Sequence, residues 1–391
     1  MSRGRPGPVP GSVLIGNPDG ARAAAWQAAL GRAGRPPAVV VPYLDLLAGR
    51  VALAPLRGPG TTLRVDSPGG EFAVERALIA RGAGVEDGPG RASTRVDAEG
   101  AARLPEERGR IWFPRQWYLG FRDLLRQVDR DRQACPGHLM LNPPVDVETL
   151  FDKPRCHARL VVRGVACPVS IGPVGSYDEL RDRMRAAGVG RVFIKLAHGS
   201  SASGVVALAA SGPRLLAMTT VELVRAGGED RLFNTRAVRR VEDGRAVAAI
   251  VDALAREGVH VERWVPKAGI GGRTFDLRVL VIAGRSRHVV ARLSRGPLTN
   301  LHLKNDRADG AAVRARMAPD AWDAALATAE RAASAFPGSL HVGVDLLIAA
   351  GFRRHAVLEA NAFGDLLHGA THEGLTPHEA EVAALDGGWP G

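Results

Sequence analysis

The segment that most restricts this chain is HVGVDLLIAAGFRRHAVLEAN, residues 341–361. Two apolar runs, His341 to Ile348 and His355 to Asn361, flank a turn that contains Gly351, the spacing of an antiparallel hairpin. Folded about Phe352, the hairpin sets Asp345 opposite Glu359. Asn361, two residues further on, faces the same side. Carboxylates directly across a ladder repel each other. The cluster therefore reads either as charges turned to water or as a hard-oxygen cation site. For the second reading Mg²⁺ suits best, held by a few carboxylates and completed by water or phosphate oxygens, with Mn²⁺ as the alternative ion.

Composition sharpens the search. Lys and Arg together number 52, for a formal charge of +11, yet only Lys153, Lys195, Lys267 and Lys304 are lysines. An arginine excess of this kind, with abundant Ala, Gly and Pro, is a composition effect, so the rare lysines are the informative cations. Lysine is a compact point charge and a common phosphate ligand. Lys195 ends a predicted strand, Arg191 to Leu196, before the small polar loop His198–Gly204 (HGSSASG) and a second strand from Val205. Such a loop either is an ordinary flexible turn or brings N–H groups and the Ser200 and Ser201 hydroxyls onto phosphate oxygens, with Gly204 closing it. Lys153, in LFDKPRCHARL, precedes a helical stretch from Cys156 to Arg163, a position that favours anions.

In TFDLRVLVIAGRSRHVVARLSRG, residues 274–296, strand alternation puts Asp276 and Arg278 on one face, and a turn at Gly284 returns Arg292. In one register Arg278 and Arg292 face each other and need an anion between them, and their forks suit phosphoryl or carboxylate oxygens. TNLHLKN follows and places Lys304 in a polar loop.

Taken in order, these pieces resemble the ATP-grasp superfamily of carboxylate–amine ligases, of the glutathione synthetase and ribosomal-protein glutamate ligase type, from about Asn142 to Leu367. The pieces are FDK at Lys153, FIKLAHGSSASG at Lys195, HVERWVP around Glu262, D-x-R at Asp276 and Arg278, the returning Arg292, and a closing D…E-x-N at Asp345, Glu359 and Asn361. The resemblance implies an α/β fold with an N-terminal Rossmann-like parallel-sheet domain (12–141) behind a lead of 1–11. A two-lobed ATP-grasp domain (142–265 and 266–391) follows. It implies that Lys153, Lys195 and the lid residues Ser200, Ser201 and Gly204 meet the ATP phosphates, with Asp276 and Lys304 in the same site. It places adenine against Glu262, Arg263, Trp264 and Val265, Mg²⁺ on Asp345, Glu359 and Asn361, and the transferred phosphoryl or acyl phosphate before Arg278 and Arg292. The substrates would be a small-molecule or peptide carboxylate and an amine. The chain departs from relatives at Arg263, where a second carboxylate is common, and in the long charged stretch 225–258, read as a strand pair near Leu232–Arg240 and a helix over 246–256.

SVLIG, PAVVVPYLDLL and TTLRVDSP, separated by helical patterns, argue independently for an N-terminal parallel sheet. Gly88–Arg110 reads as an exposed loop. Trp112, Trp117 and Tyr118 read as domain-junction packing or as lining of a substrate cleft. His368 and His372, spaced i, i+4, read as a helix face or a ligand pair. Cys135, Cys156 and Cys167 lack metal-ligand spacing and fit a reducing cytoplasm. No apolar run reaches membrane-spanning length and no secretory signal opens the chain. Scattered arginines without a motif argue against nucleic acid, and a homodimer is an admissible assembly. The rival readings are an ATP-grasp kinase and a nucleotide-binding regulator without turnover.

Overall fold

The computed structural model describes residues 11–390 apart from 57, 59, 88–92, 135–136, 213 and 365–366. The lead, save its last residue, and Cys135 lie outside the described residues. The chain begins with the predicted parallel sheet. Strand β1 (Ser12–Gly16) is followed by α1 (Ala21–Arg32), β2 (Val39–Pro42), α2 (Tyr43–Leu47), β3 (Thr62–Val65), α3 (Phe72–Gly82), the short α4 (Ala98–Ala102), α5 (Pro114–Gln133) and β4 (Leu139–Met140). The strand order is β2-β1-β3-β4, all parallel. Every residue of β1 and β3 is buried, as expected of strands covered on both faces. Helices α3 and α5 cross with their backbones in contact. A Cβ at Gly120 would stand 1.9 Å from the Leu78 carbonyl and one at Gly82 would stand 2.0 Å from that of Gln116, so only glycine fits at either position. The Gly88–Arg110 segment, where described, is mostly exposed but not a plain loop. It contains α4, and Ala101 and Leu104 seal against Ile79.

The middle of the chain supplies α6 (Pro144–Phe151), α7 (Lys153–Val162), α8 (Tyr177–Ala186), β5 (Arg191–Leu196), β6 (Val205–Ser211), β7 (Arg214–Ala226), β8 (Glu229–Val241), α9 (Gly244–Arg256) and β9 (Val259–Arg263). These strands form an antiparallel sheet, β8-β7-β6-β5-β9. The stretch 225–258 is resolved into a long hairpin and a helix. Leu232–Arg240 lies within β8, whose partner β7 precedes it across Gly227 and Gly228, both at positive φ (61° and 80°) as a tight two-residue hairpin turn requires.

The last sheet, β13-β12-β11-β14-β15 with β10 beside β11, is antiparallel. Its elements are β10 (Gly269–Ile270), β11 (Arg273–Ile282), β12 (Arg285–Ser294), β13 (Asp306–Asp309), α10 (Gly310–Arg314), α11 (Pro319–Ser334), β14 (His341–Ile348), β15 (His355–Asn361) and α12 (Pro377–Asp386). One hydrophobic core runs from Val13 and Leu63 through Phe121 on α5 to Phe275, Val344 and Ala329, joining the first and third sheets. The middle sheet has a core of its own around Ile194, Leu208, Val251 and Leu254.

Two sequence expectations are corrected here and one alternative is resolved. Arg278 does not face Arg292. It pairs with Val290, and Arg292 pairs with Asp276, because the Gly284 turn sets the register two residues away from that pairing. His368 and His372 are not on a helix. They lie in the turns before α12, with His372 bridged to Leu375 and its ring beside that of His288. Trp117 and Tyr118 take the junction reading. Trp117 packs on Phe121 and Phe151 at 5.4 and 5.5 Å, and Tyr118 stacks on His198 at 4.1 Å.

Candidate functional site

The site lies between the two antiparallel sheets, and the C-terminal hairpin anchors it. Asp345 pairs with Glu359 and Gly343 with Asn361, whereas Leu346 pairs with Val357 and Ile348 with His355. The register shifts by one residue across a bulge at Leu358. The hairpin therefore turns half a residue before Phe352, and the bulge restores the carboxylate pairing. Bulges re-aim side chains beside functional sites, and here Leu358 lines a narrow cleft together with Lys153, Cys156, Lys195, His260 and Glu359.

Both predicted phosphate lysines reach this cleft. Lys153 is the first residue of α7, whose N-cap Asp152 accepts from the Arg155 N–H at 3.0 Å. Its Nζ contacts Glu359 Oε1 at 2.9 Å and donates to the Gly199 carbonyl at 2.5 Å. Lys195 ends β5 with its Nζ 2.5 Å from Glu262 Oε1, and His260 Nε2 lies 3.6 Å from the other oxygen. Burial acts to raise the Glu262 carboxyl, but the Lys195 ammonium and His260 hold it at about 2. Burial acts to lower Lys195, yet Glu262 and Glu359 raise it above its ordinary value.

Beside it runs a chain of alternating charges. Lys267 Nζ meets Asp276 Oδ2 at 2.9 Å, Arg292 Nε donates to Asp276 Oδ1 at 2.7 Å, Arg292 Nη2 lies 3.1 Å from Asp345 Oδ2, and Arg278 Nε donates to Asp345 Oδ1 at 2.5 Å. Asp345 is thus the anion between the two arginines: Arg278 stands directly across the β11–β14 ladder from it, and Arg292, opposite Asp276 on β12, reaches over to it. Asp276 is held well below the carboxylate range, since Arg292 and Lys267 outweigh its burial. Glu359 is also lowered despite burial, by Lys153 and Lys195. Burial lowers Lys267. Sequence reasoning gave Lys267 no role, although its rarity as a lysine was the available signal.

Asp345 pairs with Glu359 on the β14–β15 ladder, and Asn361 stands two residues further along β15, opposite Gly343. Asn361 Nδ2 donates to the Gly343 carbonyl at 3.1 Å, which leaves Oδ1 as its ligand atom. Two carboxylates and an amide oxygen are hard donors that fit Mg²⁺. Among the described residues no three Asp, Glu, His or Cys side chains gather closely enough to hold an ion alone. A magnesium ion here would therefore complete its shell with phosphate oxygens and water, the usual arrangement at phosphate sites.

The 198–204 loop is a tight turn. Ser201 and Ala202 hold φ of 53° and 60°, Gly204 holds 66°, and a Cβ at Gly204 would collide with Leu196 at 2.3 Å. Ser200 and Ser201 are exposed at its tip. The hinge differs from expectation. The Arg263 N–H donates to the Val169 carbonyl and the Trp264 N–H to that of Arg191, so neither is free to meet a base as the resemblance implied. Arg263 is exposed, Trp264 packs on Phe193 at 5.4 Å, and Glu262 is engaged by Lys195. Lys304 is exposed at the end of a single 3₁₀ turn (Leu301–Leu303) whose leucine Leu303 packs against Phe193 and Ala207.

Sequence reasoning missed the support beneath the lid. His198, at the loop's first turn, is buried with Nε2 3.1 Å from Arg115 Nη1 and 3.3 Å from Asp152 Oδ2. Burial pushes it down to about 4. The Lys153 N–H also donates to the Ala197 carbonyl, so lid base and lysine helix share one scaffold. Cys156 and Cys167 are free thiols pushed up to about 12 by burial, which suits neither metal ligation nor nucleophilic work.

No protein-family model and no curated protein sequence matches the chain. Solved structures do. An ATP-grasp ligase, PsnB, complexed with precursor peptide PsnA2 and AMPPNP, is 16% identical over 96% of this chain and 97% of its own, with a TM-score of 0.51. The D-cycloserine synthetase DcsG is 13% identical over 96% and 99%, at 0.55. The macrocyclase MdnC from Microcystis aeruginosa MRC, bound with precursor peptide MdnA, is 12% identical over 96% and 98%, at 0.50.

Proposed function

The chain has the ATP-grasp fold, and from it we propose an ATP- and Mg²⁺-dependent ligase. It joins a carboxylate substrate to an amine or another nucleophile through an acyl phosphate and releases ADP and phosphate. The observation that carries this reading is the interleaving of five cations (Lys153, Lys195, Lys267, Arg278, Arg292) with four carboxylates (Glu262, Asp276, Asp345, Glu359) in ion pairs between the two antiparallel sheets. That balance is stable when empty and keeps a surplus of positive charge for a polyanionic nucleotide. Phosphoryl transfer asks for such positioning and charge neutralisation more than for covalent help.

In this reading the phosphates draw Lys153 and Lys195 away from their present partners Glu359 and Glu262. Asp345, Glu359 and Asn361 would hold Mg²⁺, which when bound supplies charge neutralisation at phosphate oxygens. Arg292, steadied by Asp276, and Arg278 face the γ-phosphoryl group. The carboxylate oxygen attacks the γ-phosphorus and ADP departs. The nucleophile then attacks the acyl carbon, the carbon–oxygen bond to phosphate breaks, and the nucleophile's proton passes to solvent. Closure of the 198–204 loop protects the acyl phosphate from water. Solved neighbours that bind precursor peptides and one that makes a small molecule support peptide or small-molecule acids and amines equally. A further neighbour structure holding Mg and ADP, at 15% identity and a TM-score of 0.51, supports the cofactor choice.

Calorimetric titration with ATP, with and without Mg²⁺, tests the reading. Mg²⁺-dependent binding that disappears in Lys195→Ala is the expected result. A wild type that binds no ATP overturns it. Inorganic phosphate released in step with ADP distinguishes the ligase from a kinase.

A further inference from the structure

Behind Arg292 lies a buried clamp built on Lys267. The Lys267 side chain is only 7% exposed, and its ammonium has an acceptor for each of its three N–H groups. These are Asp276 Oδ2 at 2.9 Å, the Pro297 carbonyl at 3.2 Å and Thr299 Oγ1 at 2.6 Å. The Thr299 hydroxyl in turn donates to the same Asp276 oxygen at 2.5 Å. The other oxygen, Oδ1, accepts from Arg292 Nε. Asp276, Thr299 and Arg292 are all buried, and neither Lys267 nor Thr299 lines the cleft between Lys153 and Glu359. Their effect on Arg292 runs through Asp276.

A buried ion pair adds little net stability over apolar packing of the same volume, and its best-attested use is to fix geometry. The group fixed here is a guanidinium. Nε on Asp276 and Nη2 on Asp345 hold Arg292 at two points, which sets the orientation of its planar fork. The Asp276 carboxylate is itself held at both oxygens, so it cannot swing and release the fork.

Thr299 belongs to the loop that leaves β12, residues 295–305. Thr274 Oγ1 donates to the Gly296 carbonyl at 2.6 Å, and Asn305 Nδ2 donates to the Leu298 and Asn300 carbonyls at 2.7 and 2.9 Å, so the loop is braced from within and from β11. Its Leu298 and Leu303 are buried in one cluster with Phe193 and Ala207 of the middle sheet, with Trp264 packed beside them. Phe193 stands two residues before Lys195 on β5, so the leucines cover the face from which Lys195 projects. Leu298 and Thr299 are neighbours in the chain, yet one side chain goes to the middle sheet and the other to the anchor of Arg292.

We propose that Thr299 and Lys267 are positioning residues for Arg292, and that they hold it in its phosphoryl-facing orientation when Leu298 and Leu303 seat the 295–305 loop on the middle sheet. Docking of one sheet and aiming of an arginine on the other are then a single event. The inference rests on the proposed function for what Arg292 meets, though not for the coupling.

Lysine NMR tests the coupling. The chain has only Lys153, Lys195, Lys267 and Lys304, so the full protein labelled with ¹³Cε-lysine gives one signal for each, and Lys267→Arg identifies that of Lys267. Leu303→Ala, made at the far end of the loop, should move the Lys267 signal in the direction in which Thr299→Val moves it. A Lys267 signal that Leu303→Ala leaves in place overturns the coupling. Calorimetry in the presence of Mg²⁺ tests the positioning. Thr299→Val and Lys267→Met should each bind AMPPNP about tenfold more weakly, as a charge-assisted hydrogen bond that is no longer aimed implies. Both should bind ADP as the wild type does, and Thr299→Ser should restore AMPPNP binding. Circular dichroism checks that the variants fold. Equal weakening of both nucleotides, the result of a merely structural role, or no weakening of either overturns the positioning. A wild type that binds neither nucleotide overturns the ligase reading and the positioning role with it, whereas the lysine signals still decide the coupling.

Discussion

Lys195→Met is the perturbation whose size the structure sets most directly. Glu262 is 1% exposed and held at about 2, against an ordinary 4.5, chiefly because Lys195 and His260 outweigh its burial. That difference corresponds to about 3 kcal/mol of stabilisation at neutral pH. A carboxyl depressed in the folded state contributes stability above its unfolded value and loses it as pH falls toward its folded one, so the contribution is complete at pH 7. Without Lys195 burial dominates, the Glu262 carboxyl rises above its ordinary value, and the remaining charge is expensive. Urea unfolding should therefore show Lys195→Met weaker by about 3 kcal/mol at pH 8, with the deficit shrinking as the pH is lowered and Glu262 takes up a proton. Adding Glu262→Gln removes the stranded charge and should recover part of the loss, as expected when a buried pair is replaced rather than broken. Equal stability of Lys195→Met and wild type at pH 8, or a double variant no better than the single one, would refute the reasoning.

The other predictions concern separate parts of the molecule. Asp345→Asn leaves Arg278 and Arg292, both buried, short of their shared anion, so thermal melts should show a lower Tm and the variant should lose Mg²⁺-dependent ADP release. His198 and His341 are buried and pushed down to about 4. Each stays neutral when folded, so stability should fall as pH drops from the ordinary histidine range toward 4, and melts between pH 7.5 and 4.5 should show the slope flatten in His198→Gln. Gly120→Ala should cost several kcal/mol, because its Cβ meets a backbone carbonyl that cannot move without separating α3 from α5; circular dichroism and soluble yield will register it.

What could be read from the sequence was whatever depends on local period and spacing. The β14–β15 hairpin, the lid turn, the lysine at a helix start and the buried β1 strand all follow from two- or three-residue patterns. The Arg278–Arg292 register stayed open because alternation fixes a face but not a partner, and the structure sets Arg292 opposite Asp276 instead. The Asp345–Glu359 pairing came out because an unforeseen bulge at Leu358 compensated for a displaced turn. The His198–Arg115–Asp152 support was invisible because its members come from three distant segments, and no pattern in any one of them marks it. The same holds for Lys267, whose partner Asp276 and neighbour Thr299 are assembled only by the sheet.

The separate core of the middle sheet has a consequence for how the molecule opens. Regions whose apolar contacts are mostly internal exchange their amide hydrogens through their own sub-global unfolding, at a lower free energy than the whole. The β5–β9 sheet, packed on α8 and α9 around Ile194 and Leu254, is such a region, whereas β1, β11 and β14 share one core and should open together. A ligand gripped by Lys195 on one side and Glu359 on the other would selectively slow exchange in the smaller unit, so hydrogen exchange can detect occupancy of this cleft before any substrate is known.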